Sequence, residues 1–154
     1  MSFARKYAAL ASLGLLLLLA MLEPRGAMAD GAIAIGLPAN VAKDGVAIGT
    51  SWNYANPEGA QARALEECRS FGDAPPDTRK LCKVVRTFKG ACVAVAIDPE
   101  AGTPGVGWAV APSKSGAEAN AMQKCKNTAG RTRQGFCKVT VTNCDGKQAP
   151  AAKK

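Results

Sequence analysis

The chain has 154 residues, 47% of them hydrophobic but only 5% aromatic, with a formal net charge of +8 and no histidine. That length suits one domain, with a core filled mainly by alanine and valine. Without histidine, Ser-His-Asp and Cys-His nucleophilic machinery is excluded, as is histidine-dependent metal catalysis, and neither of the common glycine-rich phosphate or dinucleotide loops occurs.

Residues 1–29 read as an export leader. Arg5 and Lys6 supply a positive start, Ala8 to Leu22 is uncharged and apolar, and Ala27-Met28-Ala29 predicts cleavage before Asp30. The apolar stretch is shorter than the roughly 20 residues a spanning helix needs. No cysteine stands at the cleavage site to carry a lipid. Cleavage removes three cations and one carboxylate and leaves a charge of +6. The expected location is periplasmic or extracellular, with no membrane span after cleavage. Residues 30–145 are then a single duplicated domain, and 146–154, lacking any apolar pattern, a disordered basic tail.

Along the domain, Asp30 to Ile35 predicts an added N-terminal strand and Val46-Ala47-Ile48 a second. Thr50 to Ala55 reads as a loop before a helix capped by Asn56 with Pro57 at its first position. That helix ends near Cys68, and a turn-rich loop from Gly72 to Asp77 leads to a strand over Cys82 to Lys89. Arg86 interrupts its inward pattern, which marks a strand end or a bulge. Val93 to Ile97 is an apolar run suited to a central strand. Trp108-Ala109-Val110 predicts the next strand. A second helix reaches Cys125, started by Ser113 or by a Ser115–Glu118 capping box. After a loop from Gly130 to Gly135, the last strand begins at Cys137.

The second half repeats the first. Gly59–Cys68 aligns with Gly116–Cys125 at a constant step of 57 residues, so that Ala60, Ala64, Leu65 and Cys68 recur as Ala117, Ala121, Met122 and Cys125. These positions share one helical face, a narrow stripe of small residues that permits close approach to a sheet. Cys82-Lys83-Val84-Val85 likewise recurs as Cys137-Lys138-Val139-Thr140. The expectation is an α+β fold: two pseudo-repeated strand-helix-strand units sharing one sheet, with both helices packed on one face.

Six cysteines, Cys68, Cys82, Cys92, Cys125, Cys137 and Cys144, lie behind the leader and read as three disulfides. Their spacings are wider than the C-x2-C pairs of zinc sites. Of the 15 possible connectivities, the one that respects the repeat pairs Cys68 with Cys82 and Cys125 with Cys137, leaving Cys92–Cys144 to join the two units. No metal or other cofactor is expected.

The ordered motifs Gly31-Ala32-Ile33-Ala34, Gly49-x-Ser51-Trp52-Asn53, Ala60 to Cys68, Cys82 to Val85, Cys92 to Ala96 and Gly107-Trp108-Ala109 have a familiar pattern. With the second helix and Cys125, Cys137 and Cys144, they resemble family 4189 of the domains of unknown function, small secreted bacterial proteins. The resemblance implies export and a disulfide-bonded duplicated fold. It implies no activity and therefore no catalytic residues.

Two kinds of surface are candidate binding sites. Trp52, Asn53 and Tyr54 fall in the extra loop of the first unit and Trp108 starts the matching strand of the second. They are either an aromatic contact site or plugs at the ends of an alanine-rich core. Cations gather as Arg79, Lys80, Lys83, Arg86 and Lys89, and again as Lys124, Lys126, Arg131, Arg133 and Lys138. If Lys83 and Lys138 share a sheet face, an anionic partner fits there: a cell-wall polymer, a lipid head group or an acidic protein. Nucleic acid is disfavoured, since no binding motif is present. The leading expectation is a non-enzymatic binding module for an envelope component or a protein. The alternatives are an inhibitor or effector of a partner protein, and a glycoside hydrolase using two of Glu58, Glu66, Glu67, Asp98 and Glu118.

Overall fold

The computed structural model describes residues Asp30 to Gly146. The expected leader and the tail after Gly146 lie outside the described residues. Six strands and four helices follow in order: β1 (Asp30–Gly36), α1 (Val41–Asp44), β2 (Ala47–Tyr54), α2 (Pro57–Arg69), α3 (Pro76–Lys80), β3 (Lys83–Lys89), β4 (Cys92–Ile97), β5 (Val106–Ala111), α4 (Lys114–Thr128) and β6 (Lys138–Cys144). A short 3-10 turn, Gln134–Phe136, precedes β6.

The class is α+β and the duplication is present, but the strands divide between two three-stranded antiparallel sheets, β2-β1-β3 and β5-β4-β6, instead of sharing one. The reason lies in the central strands. Ala32 and Ala34 of β1 pack with Ala60, Ala64 and Cys68 of α2. Ala94 and Ala96 of β4 pack with Ala117, Ala121 and Cys125 of α4. The alternate residues, Ile33 and Ile35 in one sheet and Val93 and Val95 in the other, form a third cluster with Ile48 and Phe88. Each central strand thus has one alanine face shallow enough for a helix and one branched face that meets its counterpart. The result is four layers, helix-sheet-sheet-helix, with the two long helices on opposite outer faces.

This arrangement redraws the repeat. Each unit is strand-strand-helix-strand and begins with its central strand, so β1, β2, α2 and β3 correspond to β4, β5, α4 and β6. Asp30–Gly36 is therefore not an addition, and Cys92–Ile97 opens the second unit. The correspondence extends to irregularities. The β1–β3 register slips between Ile33 and Ala34, bulging Val85, and the β4–β6 register slips between Val95 and Ala96, bulging Thr140. Val85 neighbours Arg86, where the inward pattern broke.

All three expected disulfides are present: Cys68–Cys82, Cys125–Cys137 and Cys92–Cys144. The third does not join the units. Cys92 and Cys144 face each other across β4 and β6 inside the second sheet. At the corresponding place in the first sheet Asp30 faces Lys89, with Oδ2 and Nζ 3.6 Å apart.

Helix starts follow local chemistry. Asn56 Oδ1 accepts from Gly59 N at 2.8 Å. Ser113, not Ser115, caps α4, its Oγ accepting from Gly116 N at 3.1 Å. Each long helix then crosses a glycine of the neighbouring strand. A methyl group on Gly49 would strike Ala64 O and Cys68 N, and one on Gly107 would strike Ala121 O and Cys125 N. Only glycine admits such close backbone approach.

Candidate functional site

Stacking two related sheets creates two rims, and the sequence treats them differently. Along β2 and β6 the rim is closed by hydrogen bonds. Asn143 Nδ2 donates to Thr50 Oγ1 at 2.9 Å. The Asp145 carboxylate, on a residue only 3% exposed, accepts from Asn53 N at 2.8 Å and Gly90 N at 3.1 Å. Gly146 N in turn donates to Asn53 Oδ1 at 3.0 Å. Asn53 holds a left-handed backbone, φ 61°, a conformation asparagine tolerates better than most residues.

The expected Thr50–Ala55 loop is therefore mostly strand. Pairing skips from Ala32↔Ser51 to Asp30↔Tyr54, so Trp52 and Asn53 form a bulge near the end of β2. Trp52 is half-buried, and Tyr54 packs against the core beneath α2. Asn53 is engaged in the rim contacts just described, and these three residues do not join Trp108.

Along β3 and β5 the rim is open. Trp108 occupies the position of Thr50 in the repeat and packs at the edge of the inter-sheet core. Two grooves meet at it. One, of about 300 Å3, is lined by Ile35, Leu37, Val106, Trp108, Asn127 and Thr128. The other, of about 380 Å3, is lined by Arg86, Trp108, Val110, Asn120 and Gln123. Lys124 borders both, its Nζ 5.0 Å from the Trp108 ring centroid in a cation–π contact. Among the described residues neither Arg86 nor Lys124 forms an ion pair. Leu37 is 54% exposed at one end. Cationic, amide and apolar groups thus converge on one aromatic ring, an arrangement suited to holding an anionic partner with an apolar side.

Of the sequence candidates, the structure brings Trp108 and Arg86 together. Lys83 and Lys138 are exposed but sit on β3 and β6, in different sheets, so they do not build one basic face. Lys89 faces Asp30. Lys124 stood in the sequence only as one member of a basic run. Its link to Trp108 follows from Gly107, which lies directly under Cys125 and the Lys124 carbonyl carbon.

Arg133 is withdrawn from the basic surface. Its Nε and Nη2 donate to Asp98 at 2.7 Å each, and its Nη1 lies 2.5 Å from Glu100 Oε2. The hydrogen bonds from Arg133 to Asp98, against the opposing effect of burial, hold the Asp98 carboxyl below its usual range. Asp98 and Glu100 line a separate cavity of about 500 Å3 between the β1–β2 and β4–β5 connections, together with Asp44, Ile48, Phe71 and Ile97.

The remaining carboxylates considered for hydrolysis are mostly occupied. Glu66 and Glu67 each lie 2.9 Å from Arg63. Glu118 accepts from Thr142 Oγ1 at 2.9 Å and lies 3.8 Å from Lys114 Nζ. Among the described residues, no three His, Cys, Asp or Glu side chains gather as a metal site, and no helix is long and apolar enough to cross a membrane.

No curated protein and no solved structure matches the chain. The family model described as domain of unknown function (DUF4189) matches residues 31–144. That span runs from the second residue of β1 to the last of β6 and takes in both units and all six cysteines, and the chain therefore belongs to the DUF4189 family.

Proposed function

We propose that this protein is exported and acts as a non-enzymatic binding module, with the open β3–β5 rim as its contact surface for an anionic partner. Three disulfides and the A-x-A leader pattern support an oxidising compartment. The observation that carries the binding role is the inequality of the rims: one is sealed through Asn143 and Asp145, while its counterpart leaves a half-buried Trp108 at the grooves bordered by Arg86 and Lys124.

The test is retention of the purified oxidised protein on immobilised anionic ligands, an acidic peptide and a carboxylated polysaccharide, over a salt series. Retention that weakens with salt, and falls in Arg86→Ala and Lys124→Ala but not in Lys138→Ala, supports the reading. Equal retention of all three variants assigns any binding to bulk charge and overturns it.

A further inference from the structure

β5 is an edge strand of the second sheet, paired with β4 on one side only. In an antiparallel sheet the backbone groups of alternate residues point to one neighbour, and those between point to the other side. Gly105 O accepts from Asp98 N at 2.9 Å, which directs Gly105 toward the β4 side. Val106 points away: its N–H donates to Thr128 Oγ1 at 2.9 Å, and its C=O accepts from the same hydroxyl at 2.8 Å. Two and four residues on, Trp108 and Val110 face outward in the same sense. Among the described residues nothing pairs with β5 on that side.

The repeat shows how such an edge is blocked when it is not used. In the first unit the outward N–H of Thr50 donates to Glu67 Oε2 at 3.3 Å, from α2. The residue of α4 in that position is Lys124. An ammonium group cannot accept a hydrogen bond, so the corresponding Trp108 N–H has no side-chain acceptor there. Lys124 lies over the Trp108 ring instead. At this position the first unit carries a cap and the second a cation; the cap on β5 lies two residues earlier, at Val106, and stops there.

We infer that an extended acidic peptide segment adds to β5 as a fourth strand, between α4 and the β3 rim. This deepens the proposed function and rests on it. Trp108 and Val110 supply main-chain bonds to the incoming strand, as in other strand-addition complexes. Alternate side chains enter the apolar groove of Ile35, Leu37 and Val106 or face Arg86 and Lys124, which select carboxylates. Thr128, already bonded to Val106, marks where pairing ends. The same two cations disfavour a second copy of this chain on the edge, because pairing would bring like charges together.

The probe is a short synthetic peptide of alternating valine and glutamate, titrated into the oxidised isotope-labelled protein. Binding should slow hydrogen exchange at the Trp108 and Val110 amides and leave Thr50 unchanged. N-methylating the peptide on its bonding edge should weaken binding roughly tenfold, the loss of one or two net hydrogen bonds. Lys124→Glu restores the cap and reverses the charge at an exposed position, and should abolish binding while the thermal midpoint holds. If the N-methylated peptide binds equally well, strand addition is wrong while the anionic-surface reading survives. Should neither this peptide nor a carboxylated polysaccharide bind, both readings fail. Slowed exchange at Trp108 on self-association alone would replace the peptide with a second copy and overturn the inference.

Discussion

Seating α4 on Gly107 makes a sharp prediction for Gly107→Ala. The added methyl would overlap Ala121 O and Cys125 N and stand 2.8 Å from the Lys124 carbonyl carbon, against about 3.5–4.0 Å for ordinary carbon contacts. All three obstacles are backbone, so no rotamer change relieves them. The helix must lift by about 1 Å, yet Cys125 is bonded to Cys137 and resists that movement. Overpacking of this kind destabilises by about 1–3 kcal/mol, and the backbone clash places this case near the upper end. For a domain of this size, about 3 kcal/mol lowers the thermal midpoint by roughly 12 °C. Gly49→Ala should behave alike, because Ala64 and Cys68 sit over it in the same way. Gly135→Ala, whose methyl meets nothing within 4 Å, is the control and should change stability by less than about 0.5 kcal/mol. Circular dichroism melts of the three oxidised variants decide the matter. If Gly107→Ala melts together with Gly135→Ala, the helix is not seated on the glycine and the packing argument is wrong.

Replacing Asp145 with alanine removes the acceptor for Asn53 N and Gly90 N and should destabilise by about 3 kcal/mol, read by urea unfolding. The Asp98–Arg133 pair makes stability depend on acid. Arg133 holds the folded carboxyl below its ordinary value of 3.8, so the pair's contribution is present above that value and fades as pH falls toward the lowered one. Unfolding curves of the native protein and Arg133→Gln should differ near neutral pH and converge in strong acid. Among the disulfides, Cys92–Cys144 closes the longest loop, a separation of 52 residues against 12 for Cys125–Cys137. Removing it by paired alanine substitution should destabilise by about 4 kcal/mol, against about 3 for the shorter loop.

Much of this was legible in the residues, because it depends on local pattern. The Ala-Ala-Cys stripes, the Asn56 cap and the two helix-to-strand disulfides all follow from spacing and repeat. The number of sheets was not, because an apolar run such as Val93 to Ile97 fits any strand buried on both faces. The deciding detail was which residues alternate, alanine on one side and isoleucine or valine on the other. The role of Cys92 was obscured by its counterpart: the equivalent of a Cys–Cys pair is Asp30 with Lys89, which no cysteine pattern reveals. The open edge had a signal in the repeat itself, since Glu67 aligns with Lys124, but its meaning required knowing that Thr50 donates to Glu67. Asp145 gave no signal, because the groups it binds, Asn53 and Gly90, are distant in sequence.

The covalent links are unequally shared: the second unit holds two disulfides and the first holds one plus the Asp30–Lys89 ion pair. Fraying should therefore begin in the first unit, where fewer bonds oppose local opening. The edge strand β5 belongs to the doubly linked half. Free edges invite fibril-like stacking when they flatten or peel away from their sheet. The two links tie β4 and α4, the elements that β5 pairs with and packs under, to β6 and its approach, which opposes peeling of β5 from its sheet. A strand can then be left exposed without becoming a nucleus for precipitation.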